Sequence, residues 1–251
     1  MKAIVLAGGF AKRMWPLTKD KPKHLLPVAG RPMLDYVLTK LEEVKELDQI
    51  FISTNAKFEH QFNLYISTFT SKKNIILFIE DTHSEGEKLG SVGALGFLIR
   101  ENKIDDDLLV IGGDNIFNFG MMEFMDFFHA KEANIVALYD LKSNTEAKLY
   151  GVVAIDGNGK IIDFQEKPEL PKSTIVSTAC YAFTRVGVKN IIRYLKEGND
   201  PDKIGHFIEW LYKNDEVFGF VFEGFWFDIG SFESYDSANE FLSKFENNMQ
   251  N

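Results

Sequence analysis

The stretch that most constrains the fold is the N-terminal MKAIVLAGGFAKRMWPLTKDKPKHLLP. Lys2 to Ala7 is apolar and rich in β-formers, and Gly8-Gly9 then breaks it. A buried strand that runs straight into a glycine turn is the opening unit of an α/β domain. The turn is strongly cationic. Lys12, Arg13, Lys19, Lys21 and Lys23 stand against one acid, Asp20, in a chain of formal net charge −9. A local cationic loop in an acidic protein suggests one specific anion. A glycine turn lets backbone N–H groups approach phosphate oxygens, and Lys and Arg supply the countercharge. The pattern is not a P-loop, because no Lys-Ser or Lys-Thr follows a second glycine at the required spacing, and it is not G-x-G-x-x-G.

The chain has 251 residues, enough for one sizeable α/β domain. Its acidic balance argues against general nucleic-acid binding, which needs an extended basic face. The single cysteine, Cys180, cannot form an internal disulfide and suits a reducing compartment. No run of about 18 apolar residues is present, so no membrane span is expected. The first residues form a core strand rather than a leader, and a cytoplasmic protein is expected.

Hydrophobic spacing predicts a helix from Pro32 to Leu47, strands at Gln49–Thr54 and Asn74–Ile79, and a helix from Glu87 to Arg100. A strand at Leu108–Ile111, a helix at Met121–Lys131 and a strand at Asn134–Tyr139 follow. The alternation predicts an α/β fold with a doubly wound, mostly parallel, Rossmann-like sheet. Later, Gly157-Asn158-Gly159 between two apolar runs predicts a hairpin. A strand at Ile175–Thr184, helices at Val186–Leu195 and Ile204–Lys213, and strands at Val217–Phe222 and Phe225–Phe227 come next. Ser231 is placed to cap a last helix with Phe232, Tyr235, Ala238, Phe241, Leu242 and Phe245 on one face. No Pro-, Gly- or Ser-rich linker and no repeat divides the chain. The expectation is one domain over 1–251 with two lobes and a cleft between them, the first to about 118, a smaller second over about 119–230, and a final helix over about 231–246.

Two carboxylates stand out. Asp114 follows Gly112-Gly113 at the C-terminal end of a central strand, where open α/β sheets bind ligands. Asp228 sits in FWFDIGS at the edge of the core, where an ionised carboxylate needs a partner: a cation, or the following helix N-terminus. The five histidines show no metal-ligand spacing.

LAGGFAKRMWPLT followed by KPKHLLPVAGRPML resembles the N-terminal signature of the sugar-1-phosphate nucleotidylyltransferases, glucose-1-phosphate thymidylyltransferases among them. The family pattern is L-A-G-G-x-G-T-R-L-x-P-L-T, then P-K-x-L-L-P-V; here Ala11 and Lys12 replace Gly and Thr. LGSVGAL, the G-D motif at Asp114, the E-K-P segment at Glu166-Lys167-Pro168 and the W-x-D-x-G segment at Asp228 follow in family order.

The resemblance implies a nucleoside triphosphate and a sugar 1-phosphate as substrates, a nucleotide sugar and pyrophosphate as products, and Mg²⁺ on Asp114 and Asp228. It places Leu6, Ala7, Gly8, Gly9, Lys12, Arg13, Glu80 and Gly90 around the nucleotide. It places Gly151, Glu166, Lys167 and Val176 around the sugar phosphate. Arg13, Lys23 and Asp114 then carry the chemistry. Such a transfer needs in-line alignment and charge neutralisation rather than a nucleophilic side chain. Glucose 1-phosphate with dTTP or UTP is the expected pair. Alternatives are a mannose-1-phosphate guanylyltransferase and a non-catalytic, ligand-sensing subunit of the same fold, the latter motivated by Ala11 and Lys12. No nucleic acid or membrane partner is expected, and a homo-oligomer is possible.

Overall fold

The computed structural model describes residues 1–249; the last two residues of the expected 1–251 domain lie outside the described residues. Strand β1 (Lys2–Leu6) lies inside a nine-stranded sheet. It is flanked in parallel by β4 (Gln49–Asn55) and β6 (Leu108–Gly112), and β5 (Asn74–Glu80) extends the parallel run beyond β4. Two short strands, β2 (Pro27–Val28) and β3 (Arg31–Pro32), form a ribbon after the cationic loop. The second half joins the sheet through β11 (Ile175–Phe183). This strand runs antiparallel to β6, to β8 (Asn134–Asp140) and, at one residue pair, to β9 (Gly151–Ile155). β9 forms the expected hairpin with β10 (Ile161–Glu166), and β12 (Val217–Phe222) pairs in parallel with β8. The doubly wound sheet is therefore parallel in its N-terminal half, and its antiparallel pairs all involve the second half.

Alternation along the central strands explains the two layers. Ala3 and Val5 of β1 and Leu109 and Ile111 of β6 feed one core; Ile4, Leu108 and Val110 feed the other. The first core is covered by α1 (Met33–Glu42), α2 (Glu59–Thr68) and α4 (Met121–Lys131). The second is covered by α3 (Ser91–Glu101), α6 (Arg185–Lys196) and α7 (Ile204–Asn214). A single-turn helix, α5 (Asn144–Ala147), is N-capped by Ser143.

A third, smaller core matters most for function. Met14 and Leu26 of the cationic segment pack with Val28, Met33, Ile116, Ile229, Ala238 and Leu242. It joins that segment to the two-stranded sheet of β7 (Asn115–Phe117) and β13 (Trp226–Asp228), and to α8 (Phe232–Met249). Ser231 caps α8 as expected, its Oγ accepting from Ser234 N at 3.2 Å. The aromatic face of α8 is only partly covered: Ala238 and Leu242 are buried, while Phe241 and Phe245 are about two-fifths exposed and cluster with Phe225.

Three expectations change. The helix read from Glu87 begins at Ser91, after a 3-10 turn at Glu85–Glu87. Its start is set by tertiary contact: the N–H groups of Ser91, Val92 and Gly93 donate to the carbonyls of Asp202 and Pro201. The first helix ends at Glu42 instead of Leu47, its chain leaving through turns closed by Val44 N and Leu47 N. Helix α2 and strand β7 were not anticipated, because α2 buries Phe62 alone and β7 is three residues long.

Candidate active site

The glycine loop is pinned from below. Thr54 and Asn55, at the end of β4, donate to the carbonyls of Ala7 (3.2 Å) and Gly8 (2.9 Å). Thr18 Oγ1 donates to Ala11 O at 2.8 Å. The N–H groups of Gly8, Gly9, Phe10 and Ala11 make no hydrogen bond among the described residues, so four donors remain for a ligand. Ala11 takes φ 47° and ψ 44°, the left-handed conformation that favours glycine, so the loop keeps this geometry with an alanine in it. Lys12 and Arg13 follow in an exposed helical turn, with the Lys12 ammonium 5.9 Å from the Trp15 ring centroid.

Glu80 ends β5 and reaches over Gly8, where its Oε1 would lie 2.7 Å from a Cβ; only glycine leaves room for it. Its carboxylate accepts from Ser53 Oγ at 2.8 Å. Burial raises the Glu80 pKa, and the Ser53 hydrogen bond pulls it partly back.

Asp114 and Asp228 come together through β7 and β13. Asp228 is in register with Asn115, and Ile229 N donates to Asp114 O at 3.0 Å. A polar chain then fixes Asp114: Trp226 Nε1 donates to Asn115 Oδ1 (2.7 Å), Asn115 Nδ2 to Asp114 Oδ1 (2.9 Å), and Lys23 Nζ to Asp114 Oδ2 (2.6 Å). Burial pushes Asp114 up, but Lys23 and the hydrogen bonds outweigh it and hold the carboxyl at about 2. Asp228 behaves oppositely. Burial, then the neighbouring charge of Asp114, lifts it to about 6, against the pull of Lys23, Lys167 and Arg13. Arg13 lies over Gly230, its Nη2 3.0 Å from where a Cβ would stand, and it makes no ion pair among the described residues.

Each carboxylate lines one of two adjoining cavities. The larger, about 600 Å³, is lined by Leu6, Gly8, Gly9, Ala11, Lys12, Arg13, Lys23, Glu80, Gly90 and Asp114, among others. The smaller, about 250 Å³, is lined by Gly151, Glu166, Lys167 and Asp228, together with Tyr150, Ser177, Thr178 and Tyr181. Ser91, Ala179, Asp202 and Ile204 line both. Lys167 and Ala179 have φ of 49° and 53°. Strain stored beside a cleft is common where a site over-determines the backbone.

Residues 2–244 match the sequence profile of the nucleotidyl transferase family. The chain belongs to that family. It is 31% identical over 242 residues to a bifunctional protein GlmU of Methanocaldococcus jannaschii, covering 96% of this chain and 54% of that protein. It is also 31% identical to a putative mannose-1-phosphate guanyltransferase of Sulfolobus acidocaldarius, covering 95% of this chain and 62% of the relative. The chain thus spans little more than half the length of these relatives. Among solved structures it superposes on a putative glucose-1-phosphate thymidylyltransferase from Bacillus anthracis in complex with a sucrose. The TM-score is 0.83 at 28% identity, with 97% of this chain and 95% of the other covered.

Within this nucleotidyl transferase two residues expected at the site do not face it. Ala7 is buried in the first core, its N–H and C=O both bonded to β4. Val176 is fully buried and pairs with Val152 and Tyr139. The wall expected from the segment Val176 to Ala179 is formed by Ser177, Thr178 and Ala179, while Val176 turns to the first core with Cys180 and Ala182. Sequence reasoning missed Asp202 and Ile204. Lys88 bridges Glu85 (3.1 Å) and Asp202 (3.0 Å), joining the two halves at the rim. No local pattern signals this pairing, since its partners lie more than a hundred residues apart.

Proposed function

We propose that this nucleotidyl transferase moves a nucleotidyl group from a nucleoside triphosphate to a sugar 1-phosphate and releases pyrophosphate, with glucose 1-phosphate and dTTP or UTP as substrates. The observation that carries the reading is that Asp114, Lys23 and Arg13 of the larger cavity and Asp228 of the adjoining smaller one lie close enough to interact electrostatically. Two polyanions can be seated there with their phosphates adjoining, which is the main requirement of an in-line phosphoryl-type transfer.

The donor set suits Mg²⁺. Two carboxylates close enough to raise the Asp228 pKa are incompletely compensated by lysine and arginine, and Mg²⁺ is usually held by one or two carboxylates plus substrate phosphates. When bound, such an ion offsets phosphate charge and orients the reacting oxygens. The chain's own groups do the rest. Lys23, bonded to Asp114, lines the larger cavity beside it, and Arg13 presents a fork for two phosphate oxygens. The free N–H groups of residues 8–11 supply further donors, and Glu166 can accept sugar hydroxyls.

Glu80 supports a second reading. Its carboxylate suits the N3–H of uracil or thymine, and equally the N1–H and N2–H of guanine. A mannose-1-phosphate guanylyltransferase is therefore the competing assignment. The retained left-handed loop at Ala11 argues against a non-catalytic sensor.

The test is pyrophosphate release from purified protein with Mg²⁺ and a matrix of dTTP, UTP, GTP, ATP and CTP against glucose, mannose and N-acetylglucosamine 1-phosphates. Release is expected with glucose 1-phosphate and dTTP or UTP. A strong preference for GTP with mannose 1-phosphate would shift the assignment to the competitor. No release from any pair, with tight nucleotide binding, would establish the sensor.

A further inference from the structure

His24 lines the larger cavity beside Lys23 and is 2% exposed. Its ring packs on Phe62 at a centroid distance of 6.3 Å, and its Cδ2 would lie 2.9 Å from a Cβ on Gly113. The ring is thus wedged between α2 and the turn that carries Asp114. A buried polar side chain is ordinarily hydrogen-bonded. Here Nδ1 is sealed from solvent without a partner, and neither ring nitrogen makes a hydrogen bond among the described residues.

The tautomer follows from the relative cost of the two arrangements. A sealed N–H with no acceptor is costlier than a sealed lone pair with no donor. Nδ1 is therefore the bare nitrogen, and Nε2 carries the hydrogen. With Nδ1 bare and only Nε2 protonated, the imidazole is neutral. It offers one N–H, on the nitrogen that is not sealed, and His24 lines the larger cavity. We infer that His24 is a nucleotide-contacting residue whose Nε2–H donates to an oxygen of the ribose–phosphate backbone.

The layout of the sheet selects that part of the nucleotide. Strand order runs β6, β1, β4, β5. Glu80, at the end of β5, covers Gly8 and marks the end of the cavity suited to a base. His24 lies at the opposite end, against Gly113 and next to the Lys23–Asp114 pair, where the phosphates must come. The inference rests on the proposed function, and the two fail differently.

The experiment is calorimetric titration of dTTP, UTP and GTP, each with MgCl₂, into wild type, His24→Phe and His24→Gln, with thermal melting as the fold control. Phenylalanine keeps the ring against Phe62 and removes the donor. Glutamine places an amide N–H near the former Nε2. His24→Phe is expected to weaken every triphosphate that wild type binds by about 10- to 100-fold, the range of a hydrogen bond to a charged group. His24→Gln is expected to bind within about 3-fold of wild type. Three results would overturn the contact: binding by His24→Phe within twofold of wild type, a loss confined to one base, or failure of a folded His24→Gln to recover binding. If wild type binds no triphosphate, the proposed function itself falls and the contact with it.

Discussion

The two cavities are built by different means. Around the larger one, Gly8, Glu80 and Asp114 sit at or just beyond the C-terminal ends of parallel strands β1, β5 and β6, and one cationic loop supplies Lys12, Arg13 and Lys23. Around the smaller one, the walls come from the β9–β10 hairpin, a register shift in β11, the start of α7 and the β13 ribbon. A parallel sheet delivers all its strand ends to one edge, so a site there needs only short loops. The antiparallel half has no such common edge. It forms its cavity by bending β11 and by holding Lys167 and Ala179 in left-handed backbone. Asp228 belongs to this second set but is delivered to the first by β13 and the third core.

The largest expected effect tests that delivery. Asp114→Asn and Asp228→Asn should each lower turnover about 100-fold while melting cooperatively, because each removes a charge opposite the reacting phosphates. Pyrophosphate release by either variant at the wild-type rate would detach the acids from the chemistry. A tenfold separation is expected next. Glu166→Gln should raise the KM for sugar 1-phosphate about 10-fold and leave the nucleotide KM within about twofold, since Glu166 lines only the smaller cavity. Equal changes in both constants would break the division into two subsites.

A third prediction concerns pH. The folded Asp228 pKa of about 6 lies above the ordinary carboxylate value, so the folded state binds a proton more tightly than the unfolded chain. Wild-type stability without metal should therefore fall as pH rises from about 4 through about 6. Asp228→Asn, neutral throughout, should lack that component and melt above wild type at pH 7 to 8. Parallel pH profiles of melting temperature for the two proteins would remove the like-charge account. The smallest effect belongs to the loop. Ala11→Gly relieves left-handed strain but loosens the unfolded chain, so a gain of at most about 1 kcal/mol is expected, or roughly 2–4 °C in melting temperature. A loss of several degrees would mean that the Ala11 methyl makes a needed contact.

Legibility in the sequence followed the same division. Strands β1 and β12 and helix α4 were read correctly to within a residue, because their apolar spacing is dense and unbroken. The cationic loop, Asp114, Glu166-Lys167 and Asp228 stood in short contiguous motifs. Helix α2 escaped because a helix that buries one phenylalanine leaves almost no periodic signal. The resemblance placed Val176 at the cavity, but strand alternation turns it into the first core with Cys180 and Ala182, on the face opposite Ala179 and Tyr181. The burial of His24 in the cavity wall was not legible, since it depends on Phe62 and Gly113, neither of which is its neighbour in the chain.

The amino-acid order determined which groups are present and which strand each one ends: glycines after β1, an acid after β6, an acid after an aromatic run near the end. These depend on local spacing and backbone preference, which act over a few residues. Only the tertiary structure decided that Asp228 meets Asp114, that Pro201 and Asp202 cap α3, and that Lys88 closes onto Asp202. Each of those pairings joins segments more than a hundred residues apart. Burial of the three cores, not any local preference, supplies the free energy that holds them together.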